Sequence, residues 1–93
     1  MPNVGWTFLS NHGHVLIYIS QHPEARVREI ASSVGITERR ALAILAEIEE
    51  AGYITVKRIG RRNHYTVNSS GRFRHPLEAN RSIKSLLKIF SNK

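Results

Sequence analysis

The chain has 93 residues, no cysteine, and 14 lysines and arginines against 7 acidic residues, which gives a net charge of +7 and a pI near 10.6. That length makes one small domain. The lack of cysteine excludes disulfides and thiolate metal sites, so a partner subunit is the natural supplement to a limited core. The positive excess suits a polyanionic partner, DNA first, with RNA or an anionic membrane surface also compatible.

The first stretch, MPNVGWTFLSNHGH, has no basic region ahead of its apolar residues, so no signal peptide is expected. No apolar run reaches a membrane span, and a cytoplasmic, nucleoid-associated protein is expected. Val4, Trp6, Phe8 and Leu9 put apolar mass near the terminus. They are expected to pack on the core or across a dimer; a platform for nucleic-acid bases would need interleaved basic residues. Ser10 or Asn11 can cap a first helix, which Pro23 ends. Its run Val15 to Ile19 is apolar on more than one face, so it needs cover on two sides. The second cover is either a C-terminal helix or another subunit. His12 and His14 are two apart, which is not same-face spacing on a helix, and no Cys or Asp clusters with them. With His22, His64 and His75 they read as surface or capping residues, and no metal site is expected.

The centre of the chain is Val27 to Gly52, VREIASSVGITERRALAILAEIEEAG. Val27, Ile30, Ala31 and Val34 recur at spacings of three and four, which predicts a helix with one apolar face. Gly35 can close it in the left-handed conformation. Thr37 can cap the next helix, with Glu38 in its first turn where the helix dipole favours a negative charge. Ala41, Ile44, Leu45 and Ile48 again share a face, and Gly52 stops the helix. Two short helices around a glycine-containing turn form a helix-turn-helix. Tyr53 to Lys57 and His64 to Asn68 then read as strands, and Arg58 to Asn63 as a turn between them. Lys57, Arg58, Arg61 and Arg62 place four positive charges in six positions.

On VREIASSVGITERRA, EIEEAGYI and IGRRNHYTV, which cover about Arg26 to Asn68, the chain resembles the small prokaryotic winged-helix transcriptional regulators of the MarR/ArsR type. The expected fold is mainly α with a small β-hairpin (α+β), a winged helix-turn-helix with an additional C-terminal helix. The resemblance implies that Thr37, Arg39, Arg40 and Ala43 face the major groove, arginine being able to give two hydrogen bonds to guanine. Thr37 either caps the helix or meets a phosphate. Lys57, Arg58, Arg61, Arg62 and Asn63 form the wing, for the minor groove or the backbone, unless they are a solvated hairpin. Arg26 and Arg28 either contact a phosphate or form a solvated turn. The chain departs from the family in placing Leu42, Ala43 and Ala46 where polar side chains are common. It also lacks the cysteines of the metal sensors in the ArsR group.

Ser69 to Gly71 read as a flexible link, and Pro76 can open a last helix. Ile83, Leu86, Leu87 and Phe90 give that helix an apolar stripe beside Arg81, Lys84 and Lys88. It can pack on its own domain, pair with a second subunit, or lie on a membrane. The division expected is a winged domain at 1–68, a linker at 69–75 and an amphipathic helix at 76–93 that dimerises through Ile83, Leu86, Leu87 and Phe90 with Trp6 and Phe8. No catalytic motif is present, so no enzyme and no cofactor is expected. The partners expected are double-stranded DNA and a second copy, with no membrane. The function expected is a dimeric, sequence-specific DNA-binding repressor. A low-specificity architectural binder is the alternative.

Overall fold

The computed structural model describes residues 5–91; Val4 lies outside them. Three helices come first, α1 (Asn11–Gln21), α2 (Val27–Val34) and α3 (Glu38–Glu50). A hairpin of β1 (Ile54–Ile59) and β2 (Arg62–Val67) follows, and α4 (Ile83–Ile89) closes the chain. This is the α+β winged helix-turn-helix with an added C-terminal helix.

Local chemistry sets the helix limits. Ser10 caps α1 by accepting from the Gly13 amide at 3.4 Å, and α1 ends at Gln21, ahead of Pro23. The Arg26 amide donates to the Glu29 carboxylate at 2.8 Å, which starts α2. Gly35 ends α2 at φ +88°, a conformation that costs a side chain dearly. Thr37 Oγ1 accepts from the Arg40 amide at 3.0 Å and caps α3.

The core draws on every element. Val15, Leu16 and Ile19 of α1 meet Ile30 and Ala31 of α2 and Ala41, Ile44, Leu45 and Ile48 of α3. Ile54, Tyr65 and Ile83 close it, and no polar or charged residue is buried among the described residues. The Tyr65 amide donates to the Pro23 carbonyl at 2.8 Å, so β2 is fastened to the turn between α1 and α2.

Three sequence expectations need correction: the extent of the strands, the length of the last helix and the flexibility of the link at 69–71. The strands are longer than read: Ile54 pairs with Val67 and the ladder runs without a break to Ile59 with Arg62. Lys57, Arg58, Arg62 and Asn63 therefore lie on the ladder, and only Gly60 and Arg61 turn. Gly60 takes φ +61°, the glycine-first arrangement of a two-residue hairpin whose twist matches the strands. The last helix is also shorter than 76–93. Pro76 lies in a turn, and the helix starts at Ile83. Leu77 is 87% exposed, so no apolar anchor holds residues 76–80 as a helix, and isolated helical propensity over a few residues is too weak to do so.

The link at 69–71 is tied down. Ser69 accepts from the Lys84 amide at 2.9 Å and Gly71 from the Ile83 amide at 2.7 Å. The Tyr53 hydroxyl donates to the Arg72 carbonyl. A Cβ on Gly71 would stand 3.0 Å from the Tyr53 ring, so a side chain there would push the ring by a few tenths of an ångström, and glycine suits this close approach of the tail.

Candidate nucleic-acid interface

The geometry begins at the corner between α2 and α3. Only residues 35–37 separate the helices. The amides of Gly35 and Ile36 both donate to the Ala31 carbonyl, at 2.8 and 3.0 Å, which fixes the turn from within. Ile36 packs against the core. Because the Thr37 hydroxyl only accepts in capping α3, its own proton is left to donate outward.

At 3.6 residues per turn, the buried stripe of α3 (Ala41, Ile44, Leu45, Ile48) fixes what faces away from it. Arg39, Ala43 and Ala46 line up opposite, all exposed. Leu42 stands beside them, 56% exposed. Its place off the Ala41–Ile44–Leu45–Ile48 face was readable in the sequence, but sequence reasoning left it out of the candidate site. Arg40 is exposed on the flank that also carries Glu47, two turns on. His12 of α1 lies on that flank, Nε2 2.6 Å from Glu47 Oε1. This hydrogen bond holds the Glu47 carboxyl below its ordinary value, and the charges of His12 and Arg40 add to the effect. Arg39 thus stands on the central ridge with no ion-pair partner among the described residues, whereas Arg40 stands near an acidic neighbour.

The wing divides its cations in a similar way. Ladder alternation puts Arg58 and Asn63 on the face shared with buried Ile54 and Tyr65, and Lys57 and Arg62 on the other. Arg58 Nε donates to the Gly60 carbonyl at 3.3 Å, which steadies the turn. Arg62 Nη1 donates to the Glu24 carbonyl at 3.4 Å, so Arg62 is drawn back to the α1–α2 turn. His64 Nδ1 lies 3.4 Å from Glu24 Oε2 on the same turn. Arg61 alone stands at the tip, exposed and with no hydrogen-bond partner among the described residues. Arg26 and Arg28 are exposed at the start of α2. Among the described residues no lysine or arginine forms an ion pair with a carboxylate; both ion pairs use histidine.

Each histidine lies against another group of the fold, and His64 Nδ1 is buried without a hydrogen bond among the described residues. Besides His12 and His64, His14 Nδ1 lies 3.1 Å from Asn11 Oδ1, His22 lies over Tyr18 with ring centroids 4.5 Å apart, and His75 Nδ1 accepts from the Leu77 amide at 3.1 Å. No group of three or more metal-binding side chains occurs among the described residues. No helix among them is long and apolar enough to cross a membrane.

The residues expected at a dimer interface split into two groups. Ile83 and Leu86 are buried in the chain's own fold, and Leu87 packs partly against the core. The apolar stripe of α4 therefore turns inward, because the tied link at 69–71 brings the helix back onto the domain. Trp6 and Phe8 do not pack on the core. They meet edge to face, centroids 5.1 Å apart, and are 71% and 94% exposed. Phe90 is 43% exposed, and its carbonyl accepts from Gln21 Nε2 at the end of α1.

None of the curated proteins compared matches the sequence. Among solved structures, the fold is similar to that of MepR, a transcription regulator of the Staphylococcus aureus multidrug efflux pump MepA, with a TM-score of 0.60 and 23% identity. The match covers 87% of this chain and 53% of that one, so the chain spans about half the length of MepR. At this identity the likeness speaks for the fold. The sequence itself matches the winged helix-turn-helix DNA-binding family over residues 10–62, from the cap of α1 to the first residue of β2, which takes in the α2–α3 corner and the wing turn. The chain belongs to the winged helix-turn-helix DNA-binding family.

Proposed function

We propose that this protein is a sequence-specific, double-stranded-DNA-binding transcription regulator that works as a dimeric repressor by occluding a promoter. One observation carries the reading: the first turns of α3 and the wing expose Arg39, Arg40, Arg58 and Arg61 with no carboxylate ion pair among the described residues. Unpaired arginines on two adjacent elements of a DNA-binding fold suit a polyanion with grooves. Arg39 on the central ridge reads base edges, with Arg40 beside it. Ala43 and Leu42 lie against thymine methyl groups. Thr37 holds the helix start and donates to a phosphate. Arg61 enters the minor groove or meets the backbone, with Lys57, Arg58, Arg62 and Asn63 behind it. Arg26 and Arg28 meet flanking phosphates. The regulatory role of MepR supports the step from DNA binding to regulation.

The dimer is read from what the fold leaves uncovered. Trp6 and Phe8 lie before the start of α1, and Phe90 is bonded to its end. An exposed apolar set of this kind at both ends of one helix suits a second copy across a two-fold axis. Ile83 and Leu86 support that face from behind.

A second reading has its own observation. Leu42, Ala43 and Ala46 leave the middle of the exposed face of α3 without hydrogen-bonding groups. That suits an architectural binder with little base preference. Selection from a random duplex pool at two salt concentrations, with the mass of the bound species recorded, separates the two. An enriched palindrome bound by a dimer supports the regulator. Salt-sensitive binding with no enriched motif supports the architectural protein, and no binding at either salt overturns both.

A further inference from the structure

The proposed interface leaves most of the net charge unused. The last 25 residues carry six of the 14 lysines and arginines and one glutamate, which is +5 of the chain's +7. The preceding 68 residues, with the whole helix-turn-helix and wing, carry only +2. Arg72, Arg74, Arg81, Lys84 and Lys88 are all exposed, and none forms an ion pair with a carboxylate among the described residues.

The backbone brings these residues onto neighbouring runs of chain. Arg72 pairs with Ser82 in an antiparallel bridge, and the Phe73 amide donates to the Arg81 carbonyl at 3.3 Å. Arg72, Arg74 and Arg81 thus lie on two adjoining runs of chain. The bonds from Ile83 and Lys84 back to Gly71 and Ser69 fix the start of α4 against them. Ile83 and Leu86 point into the protein, which leaves Lys84 and Lys88 outward. Glu47, Glu50 and Glu78 line the same cavity as Arg74, yet no ion pair joins a tail cation to a carboxylate among the described residues, so the positive excess of the cluster is left unbalanced.

Its position separates it from the DNA face. The Tyr53–Arg72 bond anchors the tail where α3 has ended and β1 begins. The 13 residues of α3 span about 20 Å, and the six of β1 span about 20 Å. The α3 start and the wing tip are therefore at the far ends of the two elements that meet beside the tail. Exposed Glu47, Glu49 and Glu50 crowd the last turn of α3 on the near side. A duplex seated on the α3 start and the wing meets that acidic band before it reaches the tail.

We propose that the tail is a second polyanion site, which takes the sugar-phosphate backbone of a second DNA duplex, so that one molecule holds two duplex segments. This rests on the DNA-binding function proposed above. Three of its five cations are arginines, whose planar forks match phosphate oxygens. A membrane surface fits less well, because α4 has seven residues and turns Ile83 and Leu86 inward.

The test is capture. A duplex fixed to beads is loaded with the full chain. A labelled duplex of unrelated sequence is then offered, and phosphatidylserine-containing phosphatidylcholine vesicles are offered in parallel. The comparison is a variant with Arg72, Arg74, Arg81, Lys84 and Lys88 all changed to Gln. The wild type should retain the labelled duplex. The variant should bind the bead duplex with unchanged affinity, which also shows that it is folded, and lose second-duplex capture by about tenfold or more. Equal capture by the variant, as the two winged domains of a dimer would give, overturns the proposal. So does a weaker, less salt-sensitive hold of the variant on the bead duplex, which would put the tail on the same DNA. Capture of vesicles in place of the second duplex also overturns it. A wild type that never binds the bead duplex removes the DNA-binding function itself.

Discussion

His12 on α1 and Glu47 on α3, 35 positions apart, are joined by a 2.6 Å hydrogen bond that ties the last turns of α3 to α1. The imidazole N–H holds the Glu47 carboxyl below its ordinary value. A carboxylate with a depressed folded-state pKa adds stability above its unfolded pKa and loses it as pH falls through the folded one. Thermal melting of wild type and Glu47→Gln should therefore differ at neutral pH. The difference should narrow as pH drops below the ordinary glutamate value of about 4.3. A gap that is constant from neutral to acid pH would show that the bond does not depend on the carboxylate charge.

Thr37→Ala removes the acceptor for the Arg40 amide and should cost about 1 kcal/mol in urea unfolding. Thr37→Ser keeps the oxygen and should recover most of that. If Ser unfolds as readily as Ala, the hydroxyl cap is not what starts α3.

Ile44 and Leu42 lie two positions apart on α3 with opposite fates. Ile44 is 0% exposed, so Ile44→Ala should cost about 2–5 kcal/mol. Leu42 is largely exposed, so Leu42→Ala should change stability by no more than about 0.5 kcal/mol. It should instead shift the base preference found by duplex selection. Equal destabilisation by the two variants would mean that the helix is turned differently.

Gly60 holds a positive φ that a side chain resists. Gly60→Val should strain the turn by about 1–2 kcal/mol and displace Arg61. DNA affinity should fall well beyond the loss of stability, as measured by unfolding and binding on the same preparation. Unchanged affinity would remove Arg61 from the interface.

The helix-turn-helix was legible because its signals are local. The apolar spacing of Val27, Ile30 and Ala31, the glycine at 35, the cap at Thr37 and the stripe from Ala41 to Ile48 all fall within a few residues of what they control. The wing was legible as a charged hairpin but not in its extent. Arg58, Arg62 and Asn63 have no strong strand preference, and they pair because Gly60 turns the chain in two residues. Contacts made across the fold left no local trace. The His12–Glu47 bond, the reach of Arg62 to Glu24 and the fastening of Arg72 by Tyr53 each join residues 19 or more apart. The tail misled for the same reason: the stripe of Ile83 and Leu86 is real, but where it packs is set by the link at 69–71.

Arg39 and Arg61 are assigned different work, and salt-dependent affinity measures it. Wild type, Arg39→Ala and Arg61→Ala are titrated against a selected duplex and a shuffled one over a range of salt. Arg39→Ala should lose about 1–3 kcal/mol of preference for the selected duplex. Arg61→Ala should weaken both duplexes alike and make the log–log salt slope shallower by about one unit. Equal losses from both variants on both duplexes, with no change in preference, would contradict base reading by the exposed ridge of α3.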